Sequence, residues 1–81
     1  MTRLDKLRQR VLSRPSDFSW QELQLLMKSL GFEMKTTGGS GRKFTHPQHN
    51  TLFIHEPHPG SLLKSYQVRD AIDLLTKEGL L

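Results

Sequence analysis

The stretch FSWQELQLLMKSLGFEMKTTGGSGRKFTH, Phe18 to His46, decides how this chain folds. Ser19 precedes Glu22 by three residues, so the serine hydroxyl can accept from the amide of Glu22 while the glutamate carboxylate reaches back to the amide of Ser19. Phe18 and Leu23 flank the pair at the two positions of a hydrophobic staple. This predicts a helix start. The helix continues through Leu26, Met27 and Leu30 and ends at Gly31, whose missing Cβ suits a left-handed cap. Beyond it the period of the pattern changes: Phe32 and Met34 alternate with Glu33 and Lys35, which predicts a strand over 32–36 with one buried face. Thr37-Gly38-Gly39-Ser40-Gly41 reads as a turn, and Arg42 to His46 resumes the alternation with Phe44 inward.

Beyond this stretch, Pro47-Gln48-His49-Asn50 predicts a second turn and Thr51 to His55 a third strand, so two consecutive hairpins give a three-stranded antiparallel meander. Glu56 to Leu63, with two prolines and a glycine, reads as a loop. From a cap at Ser65, Val68, Ala71, Ile72 and Leu75 form a helical stripe that Gly79 terminates. On the N-terminal side, Thr2 to Ser13 places Leu4, Leu7, Val11 and Leu12 at helical spacing, with Thr2 and Asp5 as its cap and Pro15 as its stop. The expected fold is α+β, in the order α-α-β-β-β-α, with the helices on one face of the sheet. A single domain over 1–81 is expected, with residues 1–16 an N-terminal extension helix and 19–81 the core.

Composition narrows the class. Eighty-one residues hold one small core and no two-domain enzyme, and 28 apolar side chains, fourteen of them leucine, suffice for two or three helices on a small sheet. There is no cysteine, so neither a disulfide framework nor a thiolate zinc site can form, and a reducing cytoplasm is the expected location. The longest apolar run is three residues, against the ~18 to 20 needed to span a bilayer, and no signal segment follows the basic N-terminus. A net charge of +4 and a pI near 9.9 point to an anionic partner. The basicity sits in two places: 1–14 carries five basic residues against Asp5, and Lys35 to Lys64 carries four against Glu56. For the first segment the simplest reading is a solvated helix face.

Two features could carry chemistry. The GGSGRK stretch, Gly38 to Lys43, is no triphosphate-binding loop, because Phe44 follows the lysine and the context is strand to strand. It reads as a hairpin turn whose amides, with Arg42 and Lys43 beside them, can approach a polynucleotide backbone. The second feature is that all four histidines, His46, His49, His55 and His58, fall in one 13-residue window. Their H-x-x-H spacings admit zinc, but residues three apart on a strand face opposite sides and only Glu56 could add a carboxylate, so no metal is expected. An imidazole near Arg42, Lys43 and Lys64 has what acid–base work on a phosphodiester requires.

The run LLMKSLGFEMKTTGGSGRKFTHP (Leu25 to Pro47), the PHPG stretch (Pro57 to Gly60), LLK (Leu62 to Lys64) and VRDAIDLL (Val68 to Leu75) resemble, in that joint order, the HicA toxins, also called the YcfA-like family. The resemblance covers Trp20 to Leu81. It implies a fold similar to the double-stranded RNA-binding domain, a ribonuclease that cleaves messenger RNA, and a partner antitoxin, HicB, that holds it inactive. Members of the family with cleavage chemistry carry histidine directly after the glycine-serine of the turn, where this chain has Gly41. Glycine cannot transfer a proton. The expected catalytic residues are therefore His46 and His55, with Ser40, Gly41, Arg42, Lys43 and Lys64 contacting RNA. The histidine assists attack of the ribose 2′-hydroxyl on the adjacent phosphate, with no metal and no cofactor. The alternatives are a non-catalytic RNA-binding module, which Gly41 supports, and a protein-interaction module using the open face of the sheet.

Overall fold

The computed structural model describes residues 2–58 and 62–81, so Pro59 and Gly60 of the PHPG stretch lie outside the described residues. The elements are α1 (Arg3–Leu12), α2 (Trp20–Ser29), β1 (Glu33–Thr36), β2 (Gly41–His46), β3 (His49–His55) and α3 (Ser65–Lys77). The order is α-α-β-β-β-α, and the antiparallel sheet runs β1-β2-β3, as the alternating pattern requires.

Both N-terminal caps form as the sequence dictates. Thr2 and Asp5 make a reciprocal capping box at α1, and Ser19 and Glu22 make one at α2. The staple residues Phe18 and Leu23 are both fully buried. Gly31 follows α2 at φ +94°, and Phe32 donates back to the carbonyl of Met27 at 3.0 Å, closing the helix end. One core joins every element but β1, whose residues are all exposed: Leu7 and Val11 of α1, Leu23, Leu26 and Met27 of α2, Phe44, Leu52 and Ile54 of β2 and β3, and Val68, Ala71, Ile72 and Leu75 of α3. The N-terminal helix thus extends the core rather than standing apart from it.

Arg10 locks α1 to α2. Its guanidinium binds the Glu22 carboxylate through Nε and, at 3.2 Å, through Nη2, and it also reaches the carbonyl and carboxylate of Asp17. The Glu22 carboxyl is held below the usual carboxylate range, first by the hydrogen bond from Arg10, against an opposing push from burial. Arg10, one of the five basic residues of the first segment, is therefore committed to carboxylates of the chain itself.

The structure departs from the sequence pattern at three element edges. Phe32 is buried but lies before β1, and Met34 is 40% exposed, because β1 is an edge strand that α2 covers only in part. The second turn is the two residues Pro47 and Gln48, so β3 begins at His49 rather than Thr51, with His46 and His49 as register partners. Its early start has an anchor 28 residues away in the chain: Glu78 Oε1 accepts from the Asn50 amide at 3.0 Å. At α3 the N-cap residue is Lys64, not Ser65, and the cap is the Gln67 side chain, whose Oε1 accepts from the Lys64 amide at 3.0 Å.

Candidate functional site

Alternation along the strands sorts the sheet into two faces. Met34, Phe44 and Leu52 form one cross-strand row toward the helices, and Thr36, Arg42 and Ile54 form the next. The opposite face carries Lys35, Lys43 and Phe53 in one row, with Gly41 beside His55 in the row nearest the glycine turn. Antiparallel partners on one face have Cβ positions about 5 Å apart. The imidazole of β3 therefore stands beside the position where this chain lacks a side chain.

The turn that presents Gly41 is built by its neighbours. Gly38 and Gly39 adopt φ +98° and +53°, a region closed to most side chains. The Gly41 amide donates to Gly38 O at 3.0 Å, and Thr37 N donates to Gly41 O at the same distance. Arg42 Nη1 donates to the carbonyls of Gly39 at 3.0 Å and Gly41 at 2.8 Å, and its Nε lies 3.6 Å from Glu56. Its side chain is only 15% exposed. The cation expected on the RNA side is thus spent on holding the turn. A Cβ at Gly41 would lie 2.2 Å from Thr37 Oγ1 and 3.3 Å from the carbonyl of Gly38, so Thr37 in its present rotamer closes the position.

At this end of the sheet Ser40 Oγ lies 3.4 Å from His55 Nδ1. When Nδ1 carries the proton and donates to the serine, Nε2 is left as a free base. Lys43 is the next residue but one from Gly41 on the same face. Lys64 is tied in from below: the Gln67 side chain that caps α3 also donates through Nε2 to the carbonyl of His55 at 3.0 Å. Ser40, Gly41, Lys43, His55 and the start of α3 are in this way one assembly.

His46 is not part of it. It sits at the far end of β2, its ring 5.1 Å from Phe32 and 4.6 Å from His49, with Nδ1 accepting from the Gln48 amide at 3.0 Å. His46 and His49 meet because they flank a two-residue turn instead of sharing a strand. His49 Nδ1 lies 3.1 Å from Glu78 Oε1. The Glu78 carboxyl is held below its usual range, first by the Asn50 amide and then by His49. His49 fastens the hairpin to the end of α3, and His46 packs against His49 and Phe32. His58 is exposed in the loop after β3.

Four residues that shape the site were not among the sequence candidates. Gln67 is a buried amide, and a polar residue on the apolar stripe of α3 was its only local signal. Thr37 and Glu56 looked like ordinary turn and loop residues. Phe53 lies in the apolar run Leu52-Phe53-Ile54, where period two turns the middle residue outward.

No curated protein and no solved structure is significantly similar to the chain. The family model described as the HicA toxin of bacterial toxin–antitoxin systems matches residues 20–77. Those limits are the first residue of α2 and the last of α3, so the match takes in the whole sheet and the glycine turn while leaving α1 outside. That match takes in well over half of the sequence, and the chain belongs to the HicA toxin family.

Proposed function

We propose that this toxin acts on RNA, as an endoribonuclease that cleaves messenger RNA with His55 as its general base and is held inactive by a HicB-like antitoxin. The observation that carries the reading is the register pairing of His55 with Gly41. An imidazole one strand over serves the space beside the turn where other family members place their own. In the proposed step His55 Nε2 takes the proton of the ribose 2′-hydroxyl. The freed oxygen bonds to phosphorus, and the bond to the 5′-oxygen breaks. That oxygen takes up a proton from solvent, leaving a cyclic phosphate. Lys43 offsets the charge that builds on the phosphoryl oxygens, Ser40 orients the imidazole, and Lys64 contacts the backbone further along.

The test is His55→Ala against His46→Ala, each assayed for cleavage, RNA binding and thermal melting. Loss of a proton-transfer group lowers rate by about 10²- to 10⁴-fold. His55→Ala is expected to show that loss with binding nearly intact, whereas His46→Ala lowers the melting temperature and leaves cleavage by the folded fraction unchanged. Full activity in His55→Ala refutes the assignment. A specific observation favours the second reading, RNA binding without cleavage: position 41 is glycine and offers no group that could transfer a proton. Wild-type chain that binds RNA and leaves it uncut establishes that reading.

A further inference from the structure

Phe53 is 70% exposed, while its neighbours Leu52 and Ile54 are 5% and 7% exposed. A lone exposed hydrophobe is ordinary on a protein surface, so exposure alone says nothing. Its setting says more. Phe53 is the register partner of Lys43, and Lys43 is the partner of Lys35, so an aromatic ring and two ammonium groups form one row across all three strands. His55 stands two residues along β3 on the same face, about 7 Å away at the rise of an extended strand. The one carboxylate of the strands on that face is Glu33, at the opposite end of β1 and paired with Thr45. Among the described residues the helices pack on the other side.

Two cations in line on one side of an exposed ring match a polyanion whose monomers carry flat π faces. An acidic peptide would satisfy the lysines but has no use for the ring. A duplex would present phosphates but keeps its base faces stacked inside. We infer that Phe53 is a stacking platform for an unpaired base, so that the open sheet face takes single-stranded RNA and sets the phosphate next to that base before His55. This rests on the RNA-directed reading above and adds to it the strandedness of the substrate and the residue that reads it. Lys35 and Lys43 hold the flanking phosphates, and the stack fixes which phosphate reaches the imidazole.

The experiment measures affinity for a fluorescently labelled oligouridylate and for an RNA duplex of equal length, across a salt series. Wild type, Phe53→Ala, Phe53→Trp and Lys43→Ala are compared, each checked for folding by circular dichroism. Removing one base–aromatic stack weakens binding by about 5- to 150-fold. Phe53→Ala is expected to show that loss for the single strand with an unchanged salt slope, Phe53→Trp to restore binding, and Lys43→Ala to flatten the slope. Wild-type affinity in Phe53→Ala overturns the platform while leaving the RNA-directed reading standing. Equal or tighter binding of the duplex also overturns it. If Phe53→Ala keeps its RNA affinity and loses the protein encoded by the adjacent reading frame, the face is a protein interface and the inference falls. Failure of wild type to bind either RNA removes the reading beneath it as well, and only that result does so.

Discussion

Gly41→Ala is the substitution whose outcome the structure specifies most closely. The φ of Gly41 lies outside the left-handed region, so backbone strain is not the issue, and an alanine would gain about 0.4–1 kcal/mol from a less free unfolded chain. Against that gain stands an overlap, because the new Cβ would sit 2.2 Å from Thr37 Oγ1, with the Gly38 carbonyl at 3.3 Å. Overpacking of this kind costs ~1–3 kcal/mol. The overlap wins, and Gly41→Ala is expected to destabilise the domain by roughly 1–2 kcal/mol, which in a chain of this size lowers the melting temperature by roughly 5–15 °C. Thr37→Ala removes the offending oxygen and leaves the Thr37 Cβ at 3.6 Å, an ordinary contact. Alone it should be neutral within about 0.5 kcal/mol, since Thr37 is exposed. The Thr37→Ala, Gly41→Ala double variant should recover most of the loss, with a coupling energy well above the ~0.5 kcal/mol within which independent sites add. Thermal melting of the four proteins measures this cycle. Additive effects, or a Gly41→Ala variant that melts with wild type, would refute the claim that Thr37 closes the position. The same geometry governs any attempt to install the family histidine. Gly41→His alone meets the overlap, so it has to be made together with Thr37→Ala before its cleavage activity is interpretable.

Ser19→Ala removes the hydroxyl that accepts from the Glu22 amide and should cost about 1 kcal/mol, read as a lower melting temperature with RNA binding per folded molecule unchanged. Glu22→Gln tests the tie between α1 and α2. The carboxyl titrates below its ordinary range in the folded chain, so its contribution is complete above the unfolded value of about 4.3 and is lost as pH falls through the folded one. Melting curves of Glu22→Gln should therefore fall below wild type at neutral pH and converge on it in acid, and a constant offset would contradict the assignment. Arg42→Ala and Lys43→Ala should separate although they are neighbours: Arg42→Ala lowers stability through the turn it holds, whereas Lys43→Ala leaves melting unchanged and reduces the salt dependence of RNA binding.

Residue order alone made legible most of what closes within a few residues, the Lys64 cap and the short Pro47-Gln48 turn excepted. The capping boxes at Thr2 and Ser19, the staple of Phe18 on Leu23, the helix end at Gly31 and the alternation through Phe44 are local hydrogen bonds and periodicities, and the structure keeps all of them. The family resemblance was legible for a related reason, since the glycine-serine turn between two strands is itself a local pattern. Tertiary structure alone decided the site. Which histidine faces the turn depends on strand register, a sum of contacts along two strands, and it selects His55 while leaving His46 against Phe32 and His49. The Arg42 guanidinium is withdrawn from the surface by carbonyls that exist only once the turn has formed. Gln67 joins α3 to the end of β3, and Glu78 starts β3 early. In each case the partners lie in different elements, and a one-dimensional pattern records only that such groups exist, because the free energy that pairs them arises when the helices and the sheet close on a common core.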